Sequence, residues 1–90
     1  GGEEFCVILP DTTPEEGCAI AERMRASIEL HGSAAIRNID VSAITVSFGV
    51  ADLAVGATRI EELVNEADNA LYRAKESGRN RVTLWKRQED

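Results

Sequence analysis

The stretch "ADNALYRAKESGRN", residues 67–80, predicts the end of a helix and the turn that terminates it. Through this stretch and upstream of it, apolar residues recur every three or four positions, as on the buried face of a helix. Thr58 and Glu61 have the spacing of a capping box, and Gly78 suits a left-handed C-terminal cap, so the pattern predicts a helix from Thr58 to about Ser77. The apolar stripe comprises Ile60, Leu63, Val64, Ala67, Ala70, Leu71 and Ala74.

Strands are predicted on both sides of this helix. The segment "ITVSFGV", residues 44–50, alternates between apolar residues and small or polar ones, which is typical of a strand with one buried face. Gly49 within it indicates a bulge or a close approach of another backbone. The segment "RVTLW", residues 81–85, predicts a last strand after the helix cap.

The N-terminal part of the chain predicts a strand followed by a helix. The run "FCVIL", residues 5–9, is short and continuously apolar, which favours a buried strand. Thr13 and Glu16 form a second capping box, which predicts a helix from Pro14 to about Leu30, with Gly32 as its left-handed cap. The order strand, helix, strand, helix, strand predicts an α+β fold with α/β-like alternation.

Composition limits the classes of protein and partner. The chain has 90 residues, enough for one domain or part of one. Its net charge of −6 argues against a surface for a nucleic-acid polymer but leaves a small anionic ligand open. No apolar run approaches the roughly 20 residues of a membrane span. Cys6 and Cys18 are predicted to be reduced core thiols, and His31 is predicted to lie at a helix end rather than bind a metal.

The chain opens with "GGEEF", residues 1–5. The pair Gly1 and Gly2 ahead of a predicted strand is typical of a hairpin turn, whose first arm is not in this sequence. We therefore expect these residues to be the second half of a larger domain. Glu3 and Glu4 place two carboxylates on that turn, and carboxylate oxygens are the ligands that hard divalent cations prefer. A solvated pair at a hairpin tip is the alternative.

Three segments together resemble the GGDEF domains, the bacterial diguanylate cyclases. "GGEEF" resembles their signature in its Glu variant, "TVSFGVA" (residues 45–51) an internal strand, and residues 67–80 their C-terminal motif, A-D-x-A-L-Y-x-A-K-x-x-G-R-N. The resemblance covers essentially the whole chain but about half of the family's domain. It implies the C-terminal half of a palm-like, nucleotidyl-cyclase-like fold that condenses two GTP into cyclic di-GMP with Mg²⁺ or Mn²⁺.

The resemblance also implies partners and a location. Two domains face each other, so a homodimer or a swapped assembly is expected, with a sensory domain upstream of the signature. The parent protein is expected to carry this domain in the cytoplasm of a bacterium, with or without a membrane anchor elsewhere.

The same resemblance implies roles for the residues of the signature. Glu3 is the catalytic and metal-binding acid, and Glu4 also supports metal binding. Gly1 and Gly2, which lack side chains, let a nucleotide lie against the backbone.

Lys75 and Arg79 are implied to contact the triphosphate, for which Arg is a bidentate partner and Lys a point charge. Favourable charge at a helix C-terminus is their alternative role. Asp68 and Asn80 are interpreted as hydrogen-bonding anchors and Tyr72 as a packed ring.

Arg23 occupies a helix position that gives some relatives a secondary contact to the inhibitory product. A solvated helix arginine is the alternative interpretation. The primary inhibitory motif, R-x-x-D, would precede Gly1 and is not in this sequence.

The family's first strand, with another metal-binding aspartate, and its guanine-recognising Asn and Asp would also precede Gly1. That strand is central in the palm-like fold, so its absence would open two sheet edges. We therefore expect the isolated 90 residues to be inactive, as a remnant, a truncated form or a swapped assembly. The alternatives are a non-catalytic module that binds GTP or cyclic di-GMP, and a structural remnant without a ligand.

Overall fold

The computed structural model describes residues 5–35, 44–53 and 59–86. Two helices and two short strands follow one another in this part of the chain. They are α1 (Pro14–Ala35), β1 (Phe48–Val50), α2 (Ile60–Glu76) and β2 (Val82–Leu84). The predicted α+β fold is confirmed.

Helix α1 begins at the predicted capping box. The Thr13 backbone N–H donates to Glu16 Oε1 at 3.1 Å, and the Glu16 backbone N–H donates to Thr13 Oγ1 at 3.1 Å. The predicted cap at Gly32 is wrong, because the helix continues through it to Ala35. A Cβ added at Gly32 would lie 3.3 Å from Ile44 Cβ, so the missing side chain allows close packing there rather than a turn.

The two strands pair in parallel and are connected by α2. Phe48 is opposite Val82, and Val50 is opposite Leu84. The predicted strands over residues 44–50 and 81–85 are confirmed where the two segments pair, whereas residues 44–47 form no strand.

Helix α2 packs directly on β1 at Gly49. A Cβ added there would lie 2.1 Å from the Ala67 carbonyl oxygen and 2.3 Å from the Leu71 backbone nitrogen. Of the two interpretations of Gly49, the close approach of another backbone is therefore confirmed. Ala70 and Ala74 in the same helix have no exposed surface, which places the core beneath α2.

The two ends of α2 differ in how they are capped. Its N-cap residue is Arg59, whose side chain makes no capping hydrogen bond; the predicted cap, Thr58, lies outside the described residues. Its C-cap is Ser77, and the following Gly78 has a φ of 127°. The predicted glycine turn at this end is confirmed, because only a residue without a Cβ adopts such a φ without strain.

The predicted buried strand over residues 5–9 is wrong. This segment is irregular, and Phe5 and Ile8 are 85% and 70% exposed. A strand requires a hydrogen-bonded neighbour, and the described sheet consists of β1 and β2 alone. Cys6 is exposed for the same reason, so it is a free thiol but not a core one, whereas Cys18 on α1 is free and half-buried.

An apolar groove lies between this segment and the rest of the fold. We use the term apolar groove for the cavity of about 560 Å³ bounded by residues 5–14, one side of α1, residues 48–53 and the start of α2. Its walls carry exposed apolar side chains, including Leu9, Met24, Leu53 and Ile60.

Neither described helix is long and apolar enough to cross a membrane.

Candidate functional site

The two predicted triphosphate contacts lie at the C-terminal end of α2. Lys75 is half-buried in the last turn of the helix, and Arg79 is exposed on the turn that follows. The last carbonyls of a helix carry partial negative charge, so both cations are also favourably placed with respect to the helix dipole. Their location fits either of the two interpretations drawn from the sequence.

A hollow of about 260 Å³ lies along α2 beside Lys75, and Arg79 is not among its lining residues. Tyr72 is 64% exposed, so its interpretation as a packed ring is wrong. The reason is helical geometry: Ala70 and Ala74 face the core, and a residue midway between them points away from it. The hollow is lined by Asp68, Asn69, Leu71, Tyr72 and Lys75.

The turn after α2 contains three consecutive residues with positive φ. Gly78 has a φ of 127°, Arg79 of 65° and Asn80 of 48°. The Arg79 backbone N–H donates to the Ala74 carbonyl at 2.9 Å, and the Arg79 carbonyl accepts from Arg81 Nε at 3.0 Å. We call residues 78–80 the left-handed turn.

Asn80 connects this turn to two other parts of the fold. Its side-chain Oδ1 accepts from Arg25 Nη1 at 2.8 Å, and its Nδ2 donates to Glu29 Oε2 at 2.5 Å. Its backbone N–H donates to Ser47 Oγ at 3.0 Å, just before β1. The interpretation of Asn80 as a hydrogen-bonding anchor is confirmed.

Arg25 is the centre of this connection on α1. Its side chain is 15% exposed and forms ion pairs with Glu22 at 2.6 Å and Glu29 at 3.1 Å. Hydrogen bonds from Asn80 and then Arg25 lower the pKa of Glu29, and those from Arg25 lower the pKa of Glu22. We call Glu22, Arg25, Glu29 and Asn80 the Arg25 network; its carboxylates are ionised at neutral pH.

Arg25 is not among the site residues predicted from the sequence. Glu22 and Glu29 lie three residues before it and four after it, and such spacings place ionic partners on one helix face. That signal predicts a local ion pair, but it contains no information about Asn80, which is 55 residues away in the sequence.

Several predicted site residues are not placed by the structure. Gly1, Gly2, Glu3 and Glu4 lie outside the described residues. Within residues 5–35, 44–53 and 59–86, no three His, Cys, Asp or Glu side chains come together to hold a metal ion. Arg23 is exposed on α1, and its role as an inhibitory-site residue stays a prediction.

Comparison with known proteins identifies relatives along nearly the whole chain. The family model for "Diguanylate cyclase, GGDEF domain" matches residues 1–81. Diguanylate cyclase A of Treponema denticola is 41% identical over 86 residues, which are 96% of this chain and 23% of that protein. Diguanylate cyclase DosC of Escherichia coli K12 is also 41% identical over 86 residues, or 96% of this chain and 18% of its own length.

The response regulator PleD of Caulobacter vibrioides is 39% identical over 82 residues, which are 91% of this chain and 18% of PleD. The chain thus spans about a fifth of the length of these relatives. No solved structure matches it. A family match over residues 1–81, together with the motif that forms the left-handed turn, leads to one conclusion: the chain belongs to the GGDEF domain family of diguanylate cyclases.

Proposed function

We propose that the chain is the C-terminal portion of one catalytic GGDEF domain, which condenses two GTP molecules into cyclic di-GMP and releases two pyrophosphates. The observation that supports this best is the cationic end of α2, where Lys75 lies in the last helical turn and Arg79 is exposed beyond it. This is the part of the chain where the family's C-terminal motif and the described structure coincide.

Lys75 and Arg79 bind the triphosphate of GTP in this proposal. The guanidinium of Arg79 offers paired donors that match two phosphate oxygens, whereas the ammonium of Lys75 acts as a compact point charge. Two cations at one helix end offset the partial negative charge of its carbonyls, which would otherwise repel a phosphate.

The acids of the signature carry the chemistry. Glu3 is the catalytic and metal-binding residue, Glu4 a second metal ligand, and Gly1 and Gly2 allow the nucleotide to approach the backbone. Mg²⁺ or Mn²⁺ bound there would activate the attacking ribose 3′-hydroxyl and neutralise charge on the α-phosphate. These roles are proposed from the family resemblance for residues outside the described structure.

The rest of the domain lies in a longer protein in this proposal. The apolar groove supports it, because exposed apolar surfaces of this kind are rare unless another segment covers them. We expect the isolated 90 residues to be inactive, and the full-length protein to act as a dimer in the cytoplasm under the control of an upstream sensory domain.

The test is to incubate the full-length protein that contains these residues with GTP and Mg²⁺ and to quantify cyclic di-GMP. Formation of the product is expected, and GTP binding without any turnover would instead support the non-catalytic module.

Variants at the end of α2 test the proposed roles. Lys75→Ala and Arg79→Ala should each weaken GTP binding by about tenfold or more, because each removes a charge-assisted contact. Lys86→Ala, which removes an exposed cation after β2, is the matched control and should bind GTP like the wild type. Unchanged GTP affinity in both variants would show that the end of α2 is not the triphosphate site.

A further inference from the structure

The left-handed turn has a backbone conformation that Arg79 does not favour by itself. Non-glycine residues with positive φ are disfavoured by contact between Cβ and the backbone, yet Arg79 and Asn80 adopt it in succession. The surrounding structure must therefore fix this turn. Local contacts fix one side of it, through the bonds of Arg79 to the Ala74 carbonyl and from Arg81 Nε.

Contacts with distant parts of the chain fix the other side. The Asn80 amide is held at both of its polar atoms, with Oδ1 accepting from Arg25 and Nδ2 donating to Glu29. Its backbone N–H is held by Ser47 Oγ. Asn80 therefore contacts α1 and the segment before β1, and it is covalently joined to Arg79.

All three nitrogen atoms of the Arg25 guanidinium donate hydrogen bonds within the Arg25 network. Arg25 donates to Glu22 through Nε and Nη2, which leaves Nη1 to reach Glu29 and Asn80. A guanidinium has this forked set of donors, and an ammonium group has not. The position of Asn80 consequently depends on α1 and on Ser47 as well as on α2.

We infer that Arg25, Glu29 and Asn80 are positioning residues, which hold the left-handed turn so that the guanidinium of Arg79 meets the triphosphate of GTP. This inference rests on the proposed function, since it assumes that Arg79 is a phosphate ligand. It assigns to α1 a role in substrate binding without any contact between α1 and the substrate.

A purely structural role is the rival explanation, since a surface ion pair often contributes little beyond local order. The two explanations differ in one respect. Loss of a positioning residue weakens GTP binding through Arg79, so the loss disappears when Arg79 is already missing. Loss of a structural residue has the same effect with or without Arg79.

A double-mutant cycle measures this difference. The full-length protein that contains these residues is titrated calorimetrically with α,β-methylene GTP and Mg²⁺, because a methylene bridge prevents cleavage at the α-phosphate. Asn80→Asp is the first perturbation. It keeps the left-handed backbone, which Asp tolerates. It replaces the amide N–H that donates to Glu29 with a carboxylate oxygen, which repels the Glu29 carboxylate. Asn65→Asp adds the same charge at an exposed position of α2 and is the matched control.

The exchange of amide and carboxylate provides a rescue. In the double variant Asn80→Asp with Glu29→Gln, an amide at position 29 donates to a carboxylate at position 80, so the hydrogen bond is restored with reversed polarity. We expect Asn80→Asp alone to weaken binding by about tenfold, the double variant to recover most of that loss, and Asn65→Asp to have no effect.

In the Arg79→Ala background, Asn80→Asp should change the affinity less than twofold. A full tenfold loss in that background would overturn the positioning role while leaving the proposed triphosphate site intact. If Arg79→Ala alone leaves the affinity unchanged, Arg79 is not a phosphate ligand and the positioning role is wrong. The proposed triphosphate site is wrong only if Lys75→Ala leaves the affinity unchanged as well.

Discussion

Replacement of Gly49 by alanine tests the packing of α2 on the sheet. The added Cβ would lie 2.1 Å from the Ala67 carbonyl oxygen and 2.9 Å from the Leu71 Cα. Non-bonded carbon contacts normally lie at about 3.5–4.0 Å, so α2 would have to move away from β1 by more than about 1 Å. The obstructing atoms belong to the helix backbone, so no side-chain rotation can relieve the clash.

The expected loss of stability is at or above the upper end of the usual range for overpacking, which is about 1–3 kcal/mol. A loss of about 3 kcal/mol lowers the melting temperature by about 6–12 °C in a domain of about 150–250 residues, the size class expected for the complete domain. Gly17→Ala, a glycine replacement within α1, is the matched control. The added Cβ would lie 3.6 Å from Val50 Cγ1, which is an ordinary van der Waals distance. It should raise stability by up to about 1 kcal/mol, since alanine favours a helix over glycine.

The assay is thermal and urea unfolding followed by far-ultraviolet circular dichroism. It uses the shortest protein containing these residues that unfolds cooperatively. Gly49→Ala should unfold earlier than the wild type and Gly17→Ala later. A Gly49→Ala variant within 0.5 kcal/mol of the wild type, roughly the effect of an ordinary surface substitution, would refute the close backbone contact between β1 and α2.

Three smaller predictions concern helix ends and charge. Thr13→Ala should lower stability by about 1 kcal/mol in urea unfolding, because it removes the N-cap of α1, and an unchanged midpoint would contradict the capping box. Gly78→Ala should cost about 1–2 kcal/mol in the same assay, since its φ of 127° is strained for alanine, and a neutral result would exclude that turn. The lowered pKa of Glu29, hydrogen-bonded by Asn80, should stabilise the fold above the ordinary pKa of 4.5 and lose this effect as the pH falls through the lowered value. Glu29→Gln should flatten that part of the curve of unfolding free energy against pH. A curve identical to that of the wild type would contradict the hydrogen bond between Asn80 and Glu29.

The features that could be predicted from the sequence are local ones. The capping box of Thr13 and Glu16 and the glycine turn at Gly78 each depend on residues within a few positions of one another. The strand predicted over residues 5–9 failed because strand formation depends on a partner, and an apolar run does not specify one. The helix cap predicted at Gly32 was wrong, because the sequence does not distinguish a glycine that permits close packing from a glycine that ends a helix.

In the candidate site, too, local features could be predicted from the sequence and long-range contacts could not. The location of Lys75 and Arg79 at the end of α2 followed from the spacing of the helix stripe and the glycine after it. The connection from Arg25 to Asn80 could not be predicted, because it spans 55 residues and depends on how α1 packs beside the sheet. The exposure of Tyr72 could have been deduced from its phase relative to the stripe.

The apolar groove has a practical consequence for anyone who expresses these residues alone. The apolar groove is lined by leucine, isoleucine and phenylalanine side chains, so it should bind the dye ANS and raise its fluorescence. It should also promote self-association as the protein concentration increases. The net charge of −6 opposes that association at low salt, and added salt screens the repulsion. Light scattering that rises with salt concentration is therefore expected for the short chain, whereas a longer protein in which the groove is covered should show neither dye uptake nor salt-dependent scattering.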